Sequence, residues 1–313
     1  MVRREASVTA SQGVHQRTLA HPASYRGKPE EAPGGPARVL TGHPPSADRQ
    51  VLAPTSDVGP GPAGPIVGRL RHAHPAVAVA ALAIGCYLTL AVTMIGLGLV
   101  VTHFLAHDAV GHWDEHVNSW FARHRSSGWN RLSGDFTLLA DTFGVAVVAA
   151  AVTLVLLLRR WGKLAFLLPL GLGIELAVFL STTYTVARPR PAVPHVGNTP
   201  STFSWPSGHT AATLVLYGGI AVLVRVATRR RAARVTAWIV AVALMFCVAL
   251  SRIYRGEHHP IDTMGGVVLG VGALWAAVTI VRTWEIASET RRPAAGPTPT
   301  TSAEPVARSA AEA

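Results

Sequence analysis

The chain has 313 residues, of which 49% are hydrophobic, with a mean hydropathy of +0.32 and a formal net charge of +11 at neutral pH. Such a balance excludes an ordinary soluble globular protein. The basic excess does not indicate nucleic acid as a partner either, because no zinc-ligand spacing, aromatic ribonucleoprotein motif or basic heptad helix accompanies it.

Residues 1–70 are rich in Pro, Gly, Ala and Ser and cannot bury enough apolar surface to offset the entropy of ordering; residues 285–313 read the same way. Both are expected to be disordered tails flanking one domain over 71–284. No cleavable signal is expected, because the first apolar run begins well beyond roughly the first 30 residues. From there apolar runs recur at the length of roughly 17–25 residues that a helix needs to cross a hydrocarbon core. They fall at Ala76–Val101, Thr142–Leu158, Leu164–Thr182, Thr210–Val226, Val235–Ser251 and Ile261–Val281. The fold class is therefore all-α, a polytopic membrane bundle of six transmembrane helices. Between the first two runs, His107–Phe136 mixes Trp113, Trp120 and Trp129 with charges, the composition of an interfacial segment capping one mouth of the bundle. Cys86 and Cys247 lie inside apolar runs and read as packed thiols, while Gly171, Gly173, Gly266 and Gly270 read as sites of close helix packing.

Orientation follows from the basic residues that flank the spans. Arg69 and Arg71 precede the first span, Arg159, Arg160 and Lys163 join the second and third, and Arg225, Arg229, Arg230, Arg231 and Arg234 join the fourth and fifth. All of these fall on one side, so both tails are expected to be cytoplasmic and loops one, three and five external.

The external loops hold three polar clusters at span boundaries. Arg188-Pro189-Arg190-Pro191 is the first, Pro206-Ser207-Gly208-His209 opens the fourth span, and Ser251-Arg252 is followed by His258 and Asp262. Charged groups so near hydrocarbon mark a working site by default. Arg190 and Arg252 each offer a planar fork that can hold two phosphate oxygens. Ser207 and Gly208 stand where a helix begins, so their amides face whatever anion occupies that end. His209 beside that site suits a general acid, and His258 a nucleophile whose second ring nitrogen is oriented by Asp262. Taken singly, each cluster also has a bland explanation as an extended loop, a helix start or a local hydrogen bond. Their joint occurrence on one face argues for phosphate chemistry.

These residues resemble the type 2 phosphatidic acid phosphatase superfamily over roughly residues 76–282. The second family motif is matched at Pro206–His209, and the third (Ser-Arg, five residues, His, three residues, Asp) in full by Ser251, Arg252, His258 and Asp262. The spacing prefers His258 over its neighbour His259. The resemblance implies attack by His258 to form a phosphohistidine, His209 as acid, phosphate held by Arg190, Ser207, Gly208 and Arg252, and His258 oriented by Asp262. The first motif departs from the family, which has a lysine where this chain has Thr183. Arg188 is the candidate to supply that charge. Glu175, in the middle of the third span, either pairs internally or touches substrate.

The expected function is a metal-independent, cofactor-free membrane phosphatase acting on a lipid phosphate or diphosphate at the external face. A polyprenyl diphosphate is the first choice, since the Arg-, Ala-, Gly- and Val-rich composition looks bacterial. Phosphatidate, phosphatidylglycerophosphate and a polyprenyl-phosphate sugar phosphate are alternatives. Two other classes stay open: a phosphotransferase using the same phosphohistidine, and a non-catalytic lipid-phosphate-binding membrane protein.

Overall fold

A computed structural model of the chain describes residues 74–289 apart from 198 and 200. The segment expected as an N-terminal tail and residues 290–313 lie outside these. Among the described residues eight α-helices follow one another: α1 (Pro75–His103), α2 (Ala109–Arg123), α3 (Ser127–Leu138), α4 (Thr142–Leu158), α5 (Leu167–Val186), α6 (Gly208–Ala227), α7 (Arg231–Tyr254) and α8 (Pro260–Glu289). Short 3₁₀ turns at Leu105–His107 and Gly162–Phe166 precede α2 and α5. Among the described residues there is no strand.

Among the described residues five segments are long and apolar enough to cross a membrane, and a sixth span arises if α3 and α4, bent 43° from one another, count as one. The protein is a multi-pass membrane protein. The second predicted run coincides with α4, which at 17 residues is short for a span and gains its length from α3. The bend falls where Asp141 caps α4, its Oδ2 accepting from the Phe143 amide at 3.1 Å. Counted as one span, the pair takes its first part from the segment read as interfacial. At the other end, α8 runs to Glu289, past the boundary at 284 expected from composition.

Helices α1, α5, α6 and α8 share one apolar core in which Met94, Val178, Ala211, Val215, Leu269 and Ile280 are fully buried. Helix α8 is its axis, with 61% of its apolar window buried. The outermost span is α7, only 11% buried, and its Val235, Ile239, Val242 and Phe246 face outward as a lipid-exposed surface must. The helices pack closely where side chains are missing. A Cβ on Gly266 would strike the Ser207 carbonyl and Thr210, so this glycine lets α8 reach the start of α6.

Candidate functional site

Three stretches distant in sequence meet at one end of the bundle: the connection between α5 and α6, the end of α7 with the turn after it, and the start of α8. The first begins where α5 stops. Pro189 and Pro191 have no amide hydrogen to continue a helix, and Ala187 turns the chain in the left-handed region at φ 51°. That turn sends Arg188 inward.

Arg188 is 3% exposed and spans two carboxylates: its Nη2 lies 2.9 Å from Asp114 Oδ2 on α2, and its Nη1 donates to Asp262 Oδ1 on α8. Its fork bridges α2 and α8. Arg188, the candidate for the charge of the missing lysine, thus meets two carboxylates in this structure. Thr183, at the lysine position, is fully buried, with its hydroxyl 3.4 Å from the Phe203 carbonyl.

Asp262 also has another role than the spacing suggested. It does not orient His258 directly. Its Oδ2 accepts from the His259 amide at 2.8 Å, from His259 Nδ1 at 3.0 Å and from Ser204 Oγ at 2.5 Å. The reason is geometric: α8 starts at Pro260, so His258 lies before the helix and cannot share a helical face with Asp262. His259 is the capping residue instead, its carbonyl accepting from Asp262 N and Thr263 N, and Asp262 reaches back to its amide as in a capping box.

The partner of His258 is a backbone group. Its Nδ1 lies 2.7 Å from the Ser204 carbonyl. A carbonyl only accepts, so Nδ1 carries the proton and Nε2 is left with its lone pair. Ser204 thus links the two residues, with its carbonyl on His258 and its hydroxyl on Asp262. Burial holds the His258 imidazole well below the ordinary histidine value of 6.5; Arg252, Arg190 and His209 act in the same direction and only the Ser204 carbonyl opposes. At neutral pH the ring is an uncharged base beside two fixed cations.

Those cations differ. Arg190 has its donors engaged: Nε to the Thr202 carbonyl at 3.1 Å, Nη2 to Thr202 Oγ1 at 3.3 Å and the Phe203 carbonyl at 3.5 Å, and Nη1 to the Glu257 carbonyl and, at 3.3 Å, its carboxylate. Arg252 is 3% exposed, yet its Nε and Nη2 have no hydrogen-bond partner. The Glu257 carboxylate, 3.7 Å from Nη2, is too distant for a hydrogen bond. A buried guanidinium with idle donors is expensive unless an anion completes it.

At the start of α6, the Ser207 amide is not free for an anion, since it donates to the Asp262 carbonyl at 2.9 Å. The Ser207 hydroxyl lies 3.0 Å from Thr210 Oγ1. Gly208 makes room for the Phe179 ring, whose atoms a Cβ would meet at 3.0–3.2 Å. His209 follows in the first turn, half-buried. Glu175, expected to pair or touch substrate, is 4% exposed within α5.

Sequence reasoning missed Asp114, Asn118, Ser204 and Glu257. The first two sit on α2 and are fully buried, with Asn118 Nδ2 donating to the His258 carbonyl at 3.1 Å. A carboxylate directly after the exposed Trp113 is unremarkable by composition. Glu257 lies between the motif residues Arg252 and His258, where its charge faces both Arg190 and Arg252. Only its adjacency to His258 hinted at this.

Residues 164–286 match the family model described as the PAP2 superfamily. No curated protein sequence matches the chain. Among solved structures, the fold is similar to the crystal structure of a transmembrane PAP2-type phosphatidylglycerolphosphate phosphatase from Bacillus subtilis. The identity is 21% and the TM-score 0.53, over 64% of this chain and 97% of that one.

Proposed function

From the premise that this chain carries a PAP2 superfamily domain at residues 164–286 in a multi-pass membrane fold, we propose that it hydrolyses a lipid phosphate or diphosphate through a phosphohistidine on His258. The observation that carries this reading is Arg252, a buried guanidinium with idle donors next to a neutral imidazole.

In the first step Nε2 of His258 forms a bond to phosphorus while the bond from phosphorus to the leaving oxygen breaks, and His209 gives that oxygen a proton. In the second step a water attacks phosphorus, His209 takes the proton back, and the P–N bond breaks to release phosphate. Arg252 supplies a fork for two phosphoryl oxygens, and its charge is fixed throughout. Arg190 adds charge more than donors, with the amides opening α6 at Gly208 and His209 as further anion ligands. Arg188 and the Ser207 amide serve the scaffold.

The substrate is proposed as a polyprenyl diphosphate held at the external face, with its apolar chain in the membrane. The rule for basic loops favours that face, because the loops rich in arginine lie opposite the site. No step requires a metal or another cofactor.

Phosphate release by the detergent-purified chain from long-chain prenyl diphosphates, phosphatidate and phosphatidylglycerophosphate tests the reading and ranks the substrates. Release should persist in EDTA, vanish in His258→Ala and fall about 10²- to 10⁴-fold in His209→Ala. Activity that disappears with EDTA and returns with magnesium contradicts the mechanism, and so does undiminished release by His258→Ala. Phosphate appearing on an added alcohol in place of free phosphate identifies a transferase; binding without turnover identifies a lipid-phosphate-binding protein.

A further inference from the structure

Helix α2 lies outside the residues that match the family model, yet one of its faces reaches the turn that carries His258. Asp114 Oδ1 accepts from the Ile261 amide at 3.2 Å, while its Oδ2 takes Arg188. Glu115 Oε1 lies 3.1 Å from His259 Nε2. One turn further, Asn118 Nδ2 donates to the carbonyl of His258 itself at 3.1 Å. Just past the helix, Arg125 donates to the Tyr254 carbonyl from Nε at 3.2 Å and Nη2 at 3.0 Å, and to the Pro194 carbonyl at 2.6 Å. The turn between α7 and α8 is thereby gripped at positions 254, 258 and 261 from a separate element.

These contacts lie on an otherwise amphipathic helix. Trp113 and Trp120 are about half exposed, at 52% and 46%, whereas Asp114 and Asn118 are fully buried. Asn118 also breaks a rule of interiors, because its Oδ1 is buried without a hydrogen-bond partner. An unpaired buried acceptor costs stability, and an apolar side chain of similar size would remove that cost while stranding the His258 carbonyl, so that the two effects offset. Stability therefore does not account for the amide, whereas the grip on the His258 carbonyl does. Departures from local rules of this kind concentrate at functional sites.

We propose that α2 is a positioning element for the nucleophile, with Asn118, supported by Asp114, fixing the His258 backbone so that Nε2 stays in line with phosphorus. Asn118 acts through His258 and is a positioning residue. The inference rests on the phosphohistidine reading above. Small displacements of a reacting atom are costly, with about 1 Å able to reduce turnover 100-fold. The Ser204 carbonyl fixes the ring of His258, and Asn118 fixes the chain beneath it.

The test uses the full chain in detergent with two variants. Asn118→Leu removes the donor and the unpaired acceptor together. Asn118→Asp keeps the shape but turns an oxygen toward the His258 carbonyl. Both should lower kcat about 10- to 100-fold with KM changed less than about two-fold, the Asp variant more severely, and Leu should leave the melting midpoint close to that of the natural chain. Wild-type kcat in both variants overturns the proposal, and so does a loss that only tracks a fall in melting midpoint. Hydrogen exchange of the peptides covering 255–262 provides a readout independent of activity. Faster exchange there in both variants, without change in the α5 and α6 peptides, is the expected result. Unchanged exchange overturns the proposal even if lipid hydrolysis is established; faster exchange in a chain that hydrolyses no lipid overturns the phosphatase reading and leaves the grip of α2 standing.

Discussion

The shaft of the bundle and its polar end treat polar groups in opposite ways. Along the shaft, hydroxyls bond within their own helix to the carbonyl four residues back: Thr93 to Thr89, Ser181 to Ala177, Thr279 to Trp275 and Thr283 to Thr279. These hydroxyls fall back on their own helix, as hydrocarbon favours, although Ser181 also meets the Tyr87 hydroxyl of α1 at 2.7 Å. At the polar end the partners come from other elements: Arg188 joins α2 to α8, His258 leans on the α5–α6 connection, and Asp262 holds Ser204. Shaft polarity is local and cheap. Polarity at the site is non-local, and the removal of one group leaves another stranded.

The same contrast recurs within the site, between Arg188 and Arg252. Both are 3% exposed, but only Arg188 bridges two carboxylates, whereas Arg252 keeps idle donors. Of the two, Arg252 is therefore expected to have the larger effect on activity. Arg252→Met should lower kcat/KM by about 10²- to 10³-fold, the size of losing a preorganised donor at developing charge, while the melting midpoint holds or rises. Arg188→Met should do the reverse to stability, costing about 3–5 kcal/mol because Asp114 and Asp262 lose their counter-charge. Thermal melts and phosphate release on the two variants check both. Equal destabilisation by the two substitutions would erase the distinction.

A smaller effect concerns pH. His258 is neutral in the folded protein at pH values where an exposed histidine takes a proton, since its value lies below 6.5. Below 6.5 the unfolded chain therefore binds a proton that the folded chain refuses, so this residue lowers folding stability as pH falls through that window and has no effect above it. The nucleophile is the neutral form, so the His258 limb of kcat/KM, corrected for substrate ionisation, should fall only below 6.5. Titration of a labelled His258 ring by NMR reads the same quantity directly, and a midpoint at or above 6.5 would remove the desolvated base from the account.

The difference between shaft and site also explains what the sequence could convey. Runs such as 261–281 announce their helices because a span needs a long apolar stretch and little else. Helix α3 of the bent pair escaped the pattern because Asp135 and Asp141 interrupt its hydropathy. At the site, the types of residue and their order were legible from the three clusters, but not their partners. Spacing suggested that His258 and Asp262 meet across a helical turn. The helix starts two residues after His258, and the carboxylate goes to His259, Ser204 and Arg188 instead. Asp114 and Asn118 stand 140 or more residues before the backbone groups they bind. No local period carries such a contact, since only the packing of α2 over the turn creates it.

The stereochemical course at phosphorus tests the central claim most directly. A lipid thiophosphate made chiral with oxygen isotopes would be hydrolysed in isotopically labelled water and the configuration of the released thiophosphate determined. Two in-line displacements through His258 predict net retention. Inversion would mean that water attacks phosphorus directly, and would contradict the phosphohistidine account.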